Sequence, residues 1–199
     1  MKKAFWIVFS TLIIDQALKV WVKTNMFLGQ EYKLLDWFYI HFTENNGMAF
    51  GMEFGGWWGK LALSVFRLIF VGFIGAYLLK LIRNKADQIV IISLSLIFAG
   101  ALGNIIDGAF YGLLFSESYH QIAGFLPEGG GYAPLFFGRV VDMFYFPMFK
   151  GYLPEWIPFW AGDYFVFFRP VFNVADAAIS IGVGIMVLFQ KRVMKELDN

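Results

Sequence analysis

LALSVFRLIFVGFIGAYLLKLIRNKADQIVIISLSLIFAGALGNIID, residues 61–107, decides the fold. Two apolar runs, about 61–82 and about 88–107, flank the short polar break Arg83-Asn84-Lys85-Ala86-Asp87. At a rise of about 1.5 Å per residue, each run is long enough to cross a hydrocarbon core of roughly 30 Å. The break is too short for anything but a tight return, so the stretch predicts an antiparallel pair of membrane helices. Outward from this pair, two further runs meet the same criterion, at about 4–23 and about 171–190.

Composition agrees. Of 199 residues 59% are hydrophobic and 21% aromatic, more apolar surface than a soluble core of this length can bury. Sixteen basic and 15 acidic residues leave a formal charge of +1, which gives no electrostatic footprint for nucleic acid. The chain has no cysteine, which excludes disulfides, thiol nucleophiles and cysteine-based metal sites. Its two histidines, His41 and His120, lack a His-Glu-x-x-His helix, so no metal site is expected. The start, Met1-Lys2-Lys3 before an apolar run, is read as a retained first span, because Asp15 and Lys19 interrupt it and no small-residue cleavage site follows.

The expected architecture is therefore an all-α integral membrane domain over 1–199, with four spans. Lys and Arg are retained on the cytoplasmic side, and Lys2, Lys3, Lys80, Arg83, Lys85, Lys191, Arg192 and Lys195 all fall on one face. Both termini are expected there. Segments of about 24–60 and 108–170 then lie outside the cytoplasm. The first alternates in part through Tyr32, Leu34, Trp37, Tyr39 and His41, predicting short strands and a small β-rich element. The second, dense in Gly, Pro and aromatics, reads as an irregular excursion at headgroup level.

Ionisable groups inside or at the ends of spans are costly and are the default functional candidates. Here they are Asp15, Lys19, Arg67, Asp107, Asp142 and Asp176. Asp15 and Lys19 stand four apart in acid-before-base order, which favours a structural ion pair over a catalytic role. Arg67 suits a lipid phosphate or a structural contact. Asp142 follows the outer end of the third span and Asp176 opens the fourth, so the two carboxylates are able to meet near one leaflet boundary. Two carboxylates in a low-dielectric site do not both ionise easily, which supplies a general acid and a general base together. The plainer alternative for each is a helix cap or a hydrogen-bonded structural acid.

Five ordered blocks resemble the lipoprotein signal peptidases, or signal peptidase II. They are Asp15-Gln16-x-x-Lys19, Asn45-x-Gly47-x-Ala49-Phe50, Gly100-Ala101-Leu102-Gly103-Asn104-Ile105-Ile106-Asp107, Val140-Val141-Asp142, and Phe172-Asn173-x-Ala175-Asp176-x-Ala178-Ile179. The resemblance implies an aspartic endopeptidase without cofactor, with Asp142 and Asp176 as its catalytic pair. Asn45, Gly47, Asn104, Asp107 and Asn173 would bind substrate or orient the aspartates. Helix–helix hydrogen bonding is an equally available role for Asn104 and Asn173. By the same resemblance the substrate is a bacterial prolipoprotein bearing a diacylglyceryl group, cleaved just before the lipidated cysteine. Membrane phospholipid surrounds the site, cyclic peptides of the globomycin type inhibit it, and the location is the bacterial cytoplasmic (inner) membrane.

Two departures stand out. Gly108 occupies a position where the family pattern usually has arginine, and Arg139, three residues before Asp142, is the expected replacement. The inserts at 108–139 and 147–169 are longer than the family pattern suggests, and read either as a lid over the cleft or as a skirt on the membrane. Two rivals are weaker. Neither a rhomboid-like Gly-x-Ser-Gly nor a presenilin-like Gly-x-Gly-Asp is present. Four unrepeated spans with acids at one leaflet leave a transporter's ion path hard to draw.

Overall fold

In the computed structural model, which describes residues 2–46 and 56–197, three helices are long and apolar enough to cross a membrane. These are α1 (Lys2–Asn25), α2 (Gly56–Arg83) and α3 (Gln88–Ile106) with its continuation to Leu114. The third span was expected to stop near 107. It instead runs on through a π-helical turn, Asp107–Tyr111, and a last short turn, α4 (Gly112–Leu114). The fourth candidate also differs from expectation. Val171–Phe172 form a strand, the helix α5 (Val174–Leu188) has 15 residues, and at Phe189 the chain bends by 87° into α6 (Gln190–Leu197). At about 1.5 Å per residue α5 alone reaches roughly 22 Å, short of a full hydrocarbon core, and only together with α6 across that bend does it make a fourth candidate span.

Local chemistry sets these boundaries. Asp87 caps α3 by accepting a hydrogen bond from the Ile89 N–H at 2.8 Å. At α5, Asn173 and Asp176 form a reciprocal capping box, each side chain accepting from the other's backbone N–H at 2.9 and 3.3 Å. The hinge between α5 and α6 marks a change of composition, from Val-Leu-Phe to Gln-Lys-Arg.

Helix α3 is the centre of the bundle, packed against α1, α2 and α5. Its closest approach to α5 depends on glycine: a Cβ at Gly100 would stand 2.2 Å from the Ala175 carbonyl oxygen. Gly100→Ala is therefore expected to push α5 away and lower stability by about 1–3 kcal/mol, with loss of activity, measured by thermal unfolding in detergent. Gly108→Ala, where a Cβ meets open space, is the control and should cost nothing.

At one end of the bundle lie Ala4 of α1, the α2–α3 turn around Ala86, and Val193 of α6, which pack together. Both termini therefore share an end. At the other end sits the β structure, larger than the sequence predicts. Strands β1 (Glu31–Leu35) and β2 (Phe38–Asn45) fall in the segment expected to hold them. The segment expected to be irregular also contributes β3 (Val140–Tyr145), β4 (Phe149–Tyr152), β5 (Tyr164–Phe167) and β6 (Val171–Phe172). An antiparallel sheet in the order β1-β2-β3-β6 forms, with β4 and β5 as a separate ribbon. Val22, Met26, Phe42, Tyr111, Phe115, Val141 and Met143 make a core that fastens the sheet to α1 and to the π turn. The extra reach of the third helix is thus what gives the sheet something to rest on.

Candidate active site

Asp142 lies in β3 opposite Thr43 of β2, a register that puts Asn45 beside it. Only 3% of Asp142 is exposed. Its carboxylate accepts from the Asn45 amide and, at 2.6 Å, from the Asn173 amide. Asp176 stands in the first turn of α5, where Asn104 of α3 donates to it at 2.9 Å. Asn173 also donates to Asn104 at 3.1 Å, so one asparagine touches Asp142, caps the helix of Asp176 and braces the residue that holds Asp176. The two aspartates, from a strand and a helix, are brought to one polar knot. Burial, reinforced by the neighbouring Asp176 charge, pushes the Asp142 carboxyl up to about 7, against the opposing pull of its two asparagine donors.

Behind the knot sits a buried charge frame. The Lys19 ammonium lies 2.9 Å from Asp15, 2.8 Å from Asp107 and 2.9 Å from the Asn104 side-chain oxygen. The other Asp15 oxygen accepts the Ala175 N–H at 2.9 Å, and Asp107 accepts the Val141 N–H at 3.3 Å. Ala175 and Val141 are the residues immediately before Asp176 and Asp142. Gln16 joins the two acids, donating to Asp107 at 2.8 Å and to Asp15 at 3.1 Å. Space for this frame comes from Gly103, where a Cβ would meet Asp15 at 2.7 Å.

A second cluster, not anticipated from the sequence, braces the sheet. Lys23 of α1 pairs with Glu44 of β2 and donates to Ser118 at 2.9 Å. Arg139 was expected to bring its charge beside the aspartates; instead its guanidinium pairs with Glu44 at 2.9 Å and Glu117 at 2.7 Å, over the Tyr132 ring. That pairing holds the Glu117 carboxyl below the usual range. The signal for the cluster was Lys23 itself, four residues after Lys19 and so on the same helical face. Gly47 lies outside the described residues.

Asp142, Asp176, Asn45 and Asn104 line a cavity of about 1120 Å³. Its walls come from α2 through Phe70 and Val71, from α3 through Ala101 and Ile105, and from α5 through Ile179. The cations that line it are Arg67 and Arg169. Mostly apolar walls with a few convergent polar groups are the usual character of a binding cleft.

Apolar helices, the appended sheet and a buried carboxylate cluster define a multi-pass membrane protein with the makings of acid–base chemistry. The signal peptidase (SPase) II family model matches residues 7–191. A lipoprotein signal peptidase of Porphyromonas gingivalis is 53% identical over 190 residues, covering 94% of this chain and 83% of that protein. One from Amoebophilus asiaticus is 38% identical over 200 residues, covering 98% and 80%. A bacterial membrane enzyme solved by the in meso method at 2.3 Å resolution shares the fold, with a TM-score of 0.61 and 23% identity over 97% of this chain and 90% of its own. The chain belongs to the signal peptidase II family of aspartic proteases.

Proposed function

We propose that the protein removes the signal peptide from diacylglyceryl-modified bacterial prolipoproteins, cleaving just before the lipidated cysteine, with Asp142 and Asp176 as the working pair. The observation that carries this reading is the asparagine bridge: Asn173 and Asn104 hold both carboxylates on the wall of one cavity lined by α2, α3 and α5. Asp176 takes a proton from a water as that water attacks the scissile carbonyl, and returns it to the leaving nitrogen as the C–N bond breaks. Asp142, carrying the proton, donates to the carbonyl oxygen. The amide donors fix both carboxylates, so little reorganisation precedes reaction. Apolar walls suit the acyl chains, and Arg67 and Arg169 suit the oxygen-rich glyceryl end. Membrane phospholipid would border the cleft, and cyclic peptides of the globomycin type would compete with substrate for it.

In this reading the sheet faces the outside of the bacterial inner membrane and the shared end of the termini, with its lysines and arginines, faces the cytoplasm. The decisive experiment incubates purified protein in lipid with a diacylglyceryl-modified precursor and with the same precursor unmodified. Release of the signal peptide only from the modified form is expected. Equal cleavage of both, or of neither, would overturn the proposal.

The pH dependence follows from Asp142. The pair needs one proton, and rising pH removes it, so kcat/KM should fall on the alkaline side of about pH 7. The Asn45 hydrogen bond favours the charged carboxylate. Asn45→Ala should therefore move the alkaline limb to higher pH, as well as lowering the rate. An unmoved or downward-shifted limb in the pH–rate profile would remove Asp142 from the proton-bearing role.

A further inference from the structure

The ribbon of β4 and β5 takes no part in the site or in the main sheet. Its pairing, Phe149 with Phe167, Lys150 with Val166, Gly151 with Phe165 and Tyr152 with Tyr164, fixes what each face carries. One face holds Phe149, Phe165, Phe167 and Gly151, without a polar side-chain atom. The other holds Lys150, Tyr152, Tyr164 and Val166. The Lys150 ammonium sits 5.0 Å from the centre of the Tyr39 ring on β2, so the polar-tipped face looks toward the main sheet. The wholly apolar face looks away from the protein.

A two-stranded ribbon is marginal in water on its own, and this one packs on little else. At its tip Trp156 is 80% exposed and Phe159 95% exposed. Bare aromatics of this size have a natural solvent in the headgroup zone of a bilayer, where Trp and Tyr rings concentrate. The location suits it. The ribbon leaves and rejoins the chain between β3 and β6, and β6 leads directly into the cap of α5. Exposed Trp57 and Trp58 mark the same end of α2. A lid over the cavity would have the opposite pattern, with its apolar face inward and its polar face to water.

The geometry points to the β4–β5 ribbon as an interfacial anchor: its Phe face and its Trp156–Trp160 tip dip into the bilayer leaflet at the sheet end, while Lys150 and the tyrosine hydroxyls stay at headgroup level. The occupant of the apolar face is phospholipid, continuous with the lipid that surrounds the helices. The anchor fixes the height of the sheet, and with it the depth of Asp142, relative to the membrane.

Because the chain has no cysteine, single sites are easily labelled. Trp156→Cys and Phe159→Cys, each carrying a nitroxide, are reconstituted in vesicles of phosphatidylcholine and phosphatidylglycerol, with Phe73→Cys on α2 as a lipid-facing reference. Both sites are solvent-exposed in the protein, so folding is not at stake. Collision with dissolved oxygen should exceed collision with a water-soluble nickel chelate at 156 and 159, as at 73, before any substrate is added. Labels open to the nickel chelate in vesicles would overturn the anchor. So would labels that become protected only when lipidated precursor is added, which is the behaviour of a lid. Neither outcome depends on whether the protein cleaves that precursor.

Discussion

Asp142→Asn and Asp176→Asn should each reduce cleavage of lipidated precursor by at least about a thousandfold, within the range that acid–base groups supply together with their positioning. The change keeps the size of the side chain and removes its ability to carry a charge or exchange a proton. It also turns one oxygen, an acceptor, into a donor facing an amide. At 142 the donors are Asn45 and Asn173; at 176 they are Asn104 and the Asn173 backbone N–H. Each variant thus loses about one hydrogen bond, roughly 1 kcal/mol, and should still fold. Thermal unfolding in detergent checks that. Because the two aspartates work as a pair, the double variant should be scarcely worse than either single one. A folded single variant that cleaves at a tenth of the parent rate or better would remove that residue from the chemistry.

The parts of this arrangement differ in how plainly they stand in the sequence. The membrane class is written in the long apolar runs. The pairing of Asp15 with Lys19 is local, set by helical spacing alone. The second partner of Lys19, Asp107, depends on how α1 crosses α3, and no spacing along the chain reveals it. Sheet register is harder still. Strand β2 and strand β3 are separated by two spans, and nothing in either fixes that Glu44 meets Val141 rather than a neighbour. That register is what diverts Arg139 to Glu44 and leaves Arg67 and Arg169 on the cavity. The π turn that carries Asp107 was invisible for a related reason. It inserts a residue's worth of offset into a helix whose composition continues unchanged, and only the tertiary contacts of Tyr111 and Phe115 with the sheet core make the longer helix pay.

The charge frame makes the second large effect predictable. Lys19 is fully buried and is the cation shared by Asp15 and Asp107. Lys19→Met keeps most of the side-chain volume and leaves two buried carboxylates facing one another without a counter-charge. Breaking a buried pair from one side costs about 3–5 kcal/mol, and here one substitution breaks two. The expected result is a steep loss of thermal stability in detergent together with loss of cleavage, since the same carboxylates hold Val141 and Ala175 in front of the two aspartates. Adding Asp107→Asn to Lys19→Met should restore stability, because it removes one of the stranded charges. Activity should not return with it: the Asn104 oxygen still lacks its Lys19 donor and keeps only the one from Asn173, so the amide that holds Asp176 is less firmly placed. Stability and catalysis would then separate in the double variant. If both recovered together, Lys19 would be a purely structural cation with no hold on the geometry of the pair.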